Sequence, residues 1–500
     1  MLSDDHSEET RPLLSHHSNE DLPIEEDSID APHKISAKLI FEEAGRTSHL
    51  AWPILIAYIL SYILNTSSVF SLGHIGTKEL AASALTIMFC NVTGFSVGLG
   101  MASALDTLCS QAFTGSTDKH ALGKHLQRGI VIMLILFFPI TAIWLATEPL
   151  LLLVGQDAEI SRLSGIYVRW MLPGLFPYLV NDCMKRYLQA QGIMKAGMYV
   201  TLVAIPINVL LQYVLVWSPI NIGPIGAIVA TSITNIFICV LMILYIRYVE
   251  GRGPWGGWDL KEALDRKQLW TMAKIGGAGT VMMCAEWWAF EISAIAAGLL
   301  GDKILAAQTI ILNTTALAYF VPLSFSLATS TRIGNSLGAN LPNTARNAAV
   351  TAYILGFLLA CLNSTILIAI RTKWGWLFSN DDEVVNIVCD ILPILALFQI
   401  ADGMNGIGSG ILRGCGRQHL GAILNVTGYY VFGLPLAIVL TFKFQIGLPG
   451  MWYSLVAVLF AICIVLTVII IRTDWNIEAK KAHDLVGNDD NRTEFDDIEE

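Results

Sequence analysis

Three carboxylates stand where the chain is otherwise strongly apolar: Glu286 and Glu291, both within Glu286-Trp287-Trp288-Ala289-Phe290-Glu291, and Asp402. Small or apolar residues flank each one, and no lysine or arginine stands in the middle of the same run. An ionised carboxylate at bilayer depth is costly, so a group in this setting suits reversible binding of a proton or a cation. At 100° per residue Glu286, Phe290 and Ser293 share one helical face, whereas Glu291 lies about 140° around from Glu286. One small site therefore takes Glu286 with Asp402, and we expect Asn313 to complete its hydrogen bonding. Glu291 also fits a protonated structural carboxyl bonded to a neighbouring helix. Trp287, Trp288, Phe290, Tyr319, Tyr429 and Tyr430 offer ring faces to an organic cation. Aromatic residues in membrane helices serve more often as packing or interface anchors. Gln308 and Asn405 complete the candidate cavity lining. Asp106 and Asp182, the latter close to Lys185 and Arg186, read instead as ion-pair or capping partners near one membrane face.

Apolar helices long enough to cross a bilayer must position these groups. Of 500 residues 54% are hydrophobic and only 14% charged. The net charge of −10 misleads, because residues 1–46 carry 12 acidic against 4 basic groups and residues 473–500 carry 10 against 3. The remaining 426 residues hold 19 acidic and 24 basic groups, a net of +5. That balance excludes nucleic-acid binding as the main activity. Nine cysteines without CxxC spacing give neither a disulfide framework nor a zinc site. A polar, acidic start is no cleavable signal peptide, which leaves the first apolar run as the targeting signal.

A span needs about 20 predominantly apolar residues. Twelve runs meet this: 49–70, 80–105, 129–146, 165–184, 197–217, 225–247, 273–299, 304–328, 348–370, 387–412, 420–441 and 450–472. With both tails cytosolic, the inside connections hold sixteen lysines and arginines and the outside ones seven, in keeping with the positive-inside rule. Shifting the chain by 224 places Gly192, Gly197, Gly223 and Gly226 on Gly416, Gly421, Gly447 and Gly450. Shifting by 225 places Gly73, Gly76, Lys78 and Leu80 on Gly298, Gly301, Lys303 and Leu305. Two six-span halves follow, and an even span number gives them the same orientation, a parallel repeat. The expected order is a disordered acidic cytosolic tail (1–46), a first lobe (47–248), a cytosolic linker (249–272), a second lobe (273–472) and a second disordered acidic cytosolic tail (473–500).

Several motifs, in order, resemble the eukaryotic branch of the multidrug and toxic compound extrusion (MATE) transporters: Gly73-His-Ile-Gly with Glu79-Leu-Ala-Ala-Ser-Ala, Ala104-Leu-Asp-Thr-Leu-Cys-Ser-Gln-Ala-Phe, Tyr187-Leu-Gln-Ala-Gln-Gly, Ile222-Gly-Pro-Ile-Gly-Ala, the Glu286 to Glu291 run, Arg332-Ile-Gly-Asn-Ser-Leu-Gly-Ala and Leu412-Arg-Gly-Cys-Gly-Arg-Gln. The resemblance covers residues 47–472. It implies an all-α integral membrane fold of two six-helix bundles in a V, and export coupled to inward movement of protons or sodium. It also implies coupling and substrate roles for Glu286, Glu291 and Asp402. Where bacterial members carry an aspartate five residues before Gly-His-Ile-Gly, this chain has Ser68. Some animal members have a further glutamate at the position of Asn313, and asparagine there is the plant-like form.

The expected activity is therefore antiport of organic compounds, drugs or metabolites, against protons, with no cofactor beyond the ion gradient and sodium as the alternative ion. A flippase or exporter of a lipid-linked or anionic substrate is the competing reading, and it calls for a basic cavity rather than an acidic one. No nucleophile with its base and no metal motif suggests an enzyme. Glu9 followed by Leu13 and Leu14 fits an acidic dileucine signal for sorting adaptors, favouring a vacuolar or endolysosomal membrane over the plasma membrane. Each chain holds both lobes, so a monomer in the lipid bilayer is the expectation.

Overall fold

Each apolar run becomes a helix, because a chain crossing lipid must satisfy its backbone groups internally. The computed structural model describes residues 36–73, 75–217 and 222–499. In order the helices are α1 (Ala37–Gly73), α2 (Lys78–Gly115), α3 (Ala121–Leu145), α4 (Ala158–Ala190), α5 (Lys195–Trp217), α6 (Pro224–Tyr248), α7 (Arg266–Gly298), α8 (Asp302–Gly338), α9 (Pro342–Trp374), α10 (Asp382–Gly414), α11 (Gln418–Lys443), α12 (Leu448–Ile471) and α13 (Trp475–Glu499). No strand occurs among the described residues. Ten of these helices are long and apolar enough to cross a membrane by length and composition. The other two of the twelve expected spans, α4 and α7, carry the charged side chains discussed below and pack inside the bundles. All nine cysteines are free.

The first half builds its core from α2, α3, α4 and parts of α5 and α6, around Leu105, Met133, Trp144 and Tyr187. The second half builds two clusters, one around Phe398, Trp452 and Leu395 and one around Ile333, Ile407 and Leu466. Backbone conformation carries the repeat. Gly192 and its counterpart Gly416 have φ of 79° and 71°, and Gly223 and Gly447 have 69° and 71°. These are left-handed conformations that glycine enters without a Cβ penalty. Ion pairs repeat as well: Lys78 pairs with Glu159 and, one repeat on, Lys303 pairs with Glu383. In each half an aspartate two residues before the glutamate, Asp157 or Asp381, caps the helix by accepting the glutamate's backbone N–H at 2.9 Å.

The halves meet where α2 crosses α7 and α8, through glycines that bring backbones together as small residues do in membrane helices. A Cβ on Gly276 would lie 2.7 Å from the Met101 carbonyl, and one on Gly115 would lie 2.7 Å from that of Gly338. Glu43 of α1 grips Arg332 of α8 with two bonds of 2.7 and 3.1 Å. Tyr58 of α1 stacks on Phe320 of α8 with centroids 5.7 Å apart.

Two expectations about the tails need correction. Residues 37–46 are not a tail but the first turns of α1. Nor is 473–500 disordered throughout, since α13 starts at Trp475. Trp475, Ala479, Ala482 and Val486 recur at helical spacing and are buried. The first three pack on the core of the second half, and Leu485 packs on that of the first. The overall acidity of the segment hides this apolar stripe. The dileucine residues Glu9, Leu13 and Leu14 lie outside the described residues.

Candidate functional site

Glycines on α10 make room for the site. Gly403 faces Ala360 and Pro322, and a Cβ on Gly406 would sit 3.2 Å from the Tyr319 ring, so α8 comes close enough to lay Tyr319 against α10. Asp402 is only 2% exposed there. Glu286 of α7 is half-buried and lies within electrostatic reach of Asp402. The phenols of Tyr319 and Tyr429 lie within the same reach of both carboxylates. Tyr429 belongs to a π-helical stretch of α11, Val426–Gly433, a local geometry that recurs at functional sites. Phe290 packs against Tyr429 and Phe398 at centroid distances of 6.4 and 5.9 Å, forming an aromatic wall beside the acids.

Other expected residues go elsewhere. Asn313 donates its amide to the Thr309 carbonyl one turn back at 3.0 Å, and it makes no hydrogen bond to Glu286 among the described residues. Gln308 is fully buried, as Tyr429 is. It donates to Ser293 at 3.2 Å and accepts from the Trp452 indole at 3.0 Å, tying α7, α8 and α12 together. The chemistry of a buried amide explains this: all its polar atoms must find partners. Asn405 is buried on α10 and Trp287 is half-buried. Trp288 reaches across the seam and donates to the Val92 carbonyl at 3.0 Å, inside the π-turn Asn91–Phe95 of α2. Glu291 is half-buried on another face of α7 and has no ion-pair partner among the described residues.

A buried ion network adjoins the acidic pair. Arg186 of α4 binds Asp106 of α2 at 2.5 Å and Asp182 at 3.2 Å. From the other half, Arg413 of α10 approaches the second oxygen of Asp106 at 3.6 Å. Arg413 also donates to Ser326 at 2.8 Å, and Ser326 donates to the Gly406 carbonyl at 2.5 Å. The Thr107 hydroxyl donates to the Arg413 carbonyl and accepts from Gln418 at 2.9 Å. Gln111 donates to the Gly414 carbonyl at 3.0 Å. The ion-pair reading of Asp106 and Asp182 agrees with this arrangement. Arg413, one of the sixteen cations counted in the inside connections, is instead buried at the end of α10 and lies within electrostatic reach of Glu286. Its spacing from Asp402 held the clue: eleven residues are about three helical turns, so the two share a face.

The first half has no such acid. Ser68, at the position of the bacterial aspartate, bonds Thr231 at 2.9 Å and accepts from Gln212 at 2.6 Å. Asn208 bonds Ser67 at 2.8 Å and Thr234 at 2.9 Å. This is a neutral network.

The chain matches the MatE family over residues 53–214 and 280–439, once in each half. It is 36% identical over 441 residues to mouse multidrug and toxin extrusion protein 2, covering 88% of this chain and 76% of the relative. It is 35% identical over 444 residues to Protein DETOXIFICATION 16 of Arabidopsis thaliana, covering 88% and 90%. The crystal structure of the eukaryotic MATE transporter AtDTX14 superposes with a TM-score of 0.85 at 31% identity, covering 90% of this chain and all of that one. The twelve helices thus form the V-shaped pair of bundles of that fold, and the chain is a multi-pass membrane protein belonging to the MATE family of multidrug and toxin extrusion transporters.

Proposed function

We propose that the protein is a secondary antiporter that moves small organic compounds, cationic ones foremost, against protons. The observation that carries the reading is that Glu286 and Asp402 lie within electrostatic reach of one another and of Tyr319 and Tyr429. Two carboxylates in one confined site repel each other when both are ionised, so a proton or a cation is favoured there. Binding of one weakens the attraction for the other, which is the exchange antiport needs. The aromatic rings add faces for an organic cation. An anionic or lipid-linked substrate would meet repulsion at the same place. Sodium is the alternative coupling ion.

Arg413 connects this exchange to the bundles. An ionised Glu286 attracts Arg413, and a protonated one releases it toward Asp106 across the seam. Occupancy of the acidic pair thereby biases the equilibrium between open and closed seams, as linkage requires of any coupled transporter. With both termini cytosolic, the seam closes on the cytosolic side. Sequestration at a vacuolar or endolysosomal membrane agrees with the Glu9, Leu13 and Leu14 signal.

Proteoliposomes with an acidic interior and a fluorescent organic cation outside test the proposal. Gradient-dependent uptake that Glu286→Gln and Asp402→Asn each abolish supports it. Wild-type uptake indifferent to the gradient would overturn proton coupling, and no uptake of the cation by wild type would overturn the substrate class.

A further inference from the structure

The linker between the halves and the start of α7 leave a large cleft against α3. The cleft has a volume of about 990 Å³. Its wall at bilayer depth is apolar: Ile132, Ile135 and Leu136 from α3 and Ala273 from α7. Its rim carries Asp265, Arg266 and Lys267. Both cations are exposed, and neither has a carboxylate partner among the described residues. The nearby acids are engaged elsewhere. Glu262 holds Arg128 at 2.9 Å, and Asp265 caps the first turn of α7 through the Lys267 N–H at 2.8 Å.

The surroundings are those of a membrane interface. Trp270 at the rim is 72% exposed and Ile135 in the wall 59% exposed. Trp258, Leu260 and Leu264 of the linker are exposed too, beside Lys261, Arg266 and Lys267 in sequence. A tryptophan at the headgroup level, apolar linker residues turned outward and a cationic rim above an apolar slot belong at one leaflet's surface. Basic pockets between membrane helices on this side hold anionic lipid headgroups.

We propose that the cleft between α3 and the beginning of α7 binds an anionic glycerophospholipid, its phosphate on Arg266 and Lys267 and an acyl chain along Ile132, Ile135 and Leu136. Charge complementarity selects the lipid over a zwitterionic one, and the apolar slot selects it over a soluble phosphate. Because α3 belongs to the first half and α7 to the second, such a lipid bridges the bundles at their seam and favours the closed arrangement.

The test is thermal unfolding of the purified full-length protein in detergent, titrated with phosphatidylglycerol, phosphatidylcholine or glycerol phosphate. Phosphatidylglycerol is expected to stabilise at a concentration at least about fivefold below that of phosphatidylcholine, since each interfacial cation contributes about that factor. The preference should disappear in Arg266→Gln/Lys267→Gln, and Ala273→Trp, which fills the slot, should abolish the response while leaving a cooperative transition. Equal effects of the two lipids, a preference that survives the double variant, or an equal response to glycerol phosphate would each overturn the site.

Discussion

Arg413 of the second half stands 3.6 Å from Asp106 of the first, and the same aspartate holds Arg186 at 2.5 Å. One buried carboxylate is thus shared between an intramolecular anchor and a partner that must leave when the bundles separate. Buried ion pairs contribute little net stability once desolvation is counted, but removing one member leaves an uncompensated charge. In the proposed antiport cycle their use is to define the closed state.

Replacing the shared carboxylate should therefore open the seam more than it unfolds the bundle. Asp106→Asn leaves Arg186 with Asp182 but strips Arg413 of its acid. We expect the closed arrangement to lose about 3–5 kcal/mol, the usual cost of breaking a buried pair. A cysteine pair at Thr114 and Asn335, whose hydroxyl and carbonyl are 2.7 Å apart across the seam, reports it. Oxidative cross-linking should slow at least tenfold in Asp106→Asn, and an unchanged rate would remove the latch from the mechanism.

The two glutamates of α7 should separate in function. Glu286→Gln is expected to lower gradient-driven uptake more than tenfold, whereas Glu291→Gln, remote from Asp402 and without an ionic partner among the described residues, should retain at least about half, since an uncharged isostere costs little where no charged partner is lost. Initial rates at matched protein density measure this. Equal losses in both variants would mean that Glu291 takes part in the site.

Much of this was legible in the chain and some was not. Helix positions followed from apolar length, and the two halves from glycine spacing, because membrane helices and tight turns are local properties. The expectation that Glu286 and Asp402 share one site rests on the rarity of charge at depth. The fates of Asn313 and Gln308 did not, since a polar side chain in a helix can bond its own previous turn or brace neighbours, and only packing decides between them. Arg413 was obscured by its place at a helix end, where a cation reads as a loop charge. Charge in the last segment likewise masked the buried stripe of α13.

Repeat-related positions should respond alike. Gly223→Ala and Gly447→Ala both force a Cβ into a left-handed conformation with φ of 69° and 71°. Each should cost about 1–2 kcal/mol. Gly226→Ala should cost more than either, because its Cβ would meet the Leu215 carbonyl at 2.5 Å. Thermal midpoints in one detergent compare them, and a Gly223→Ala effect more than about threefold that of Gly447→Ala would deny the shared backbone role.

The helix α13 is the last described element of the chain and touches both halves, so its docking should report on the seam. Trp475, Ala479 and Ala482 anchor it to the second half, Leu485 meets the first, and Glu478 lies 2.9 Å from Lys481 and 3.8 Å from Arg417. Ala482→Glu places a carboxylate into an apolar contact and should undock the helix without touching the acidic pocket. An overpacked or charged core position costs about 1–3 kcal/mol. We expect limited proteolysis to cut near residues 475–487 at least about tenfold faster, consistent with an opening free energy lowered by that amount. The Thr114 and Asn335 cysteine pair should cross-link more slowly in the same variant, because a strap spanning both bundles holds them together. Faster proteolysis with unchanged cross-linking would make α13 a passive appendage of the second half.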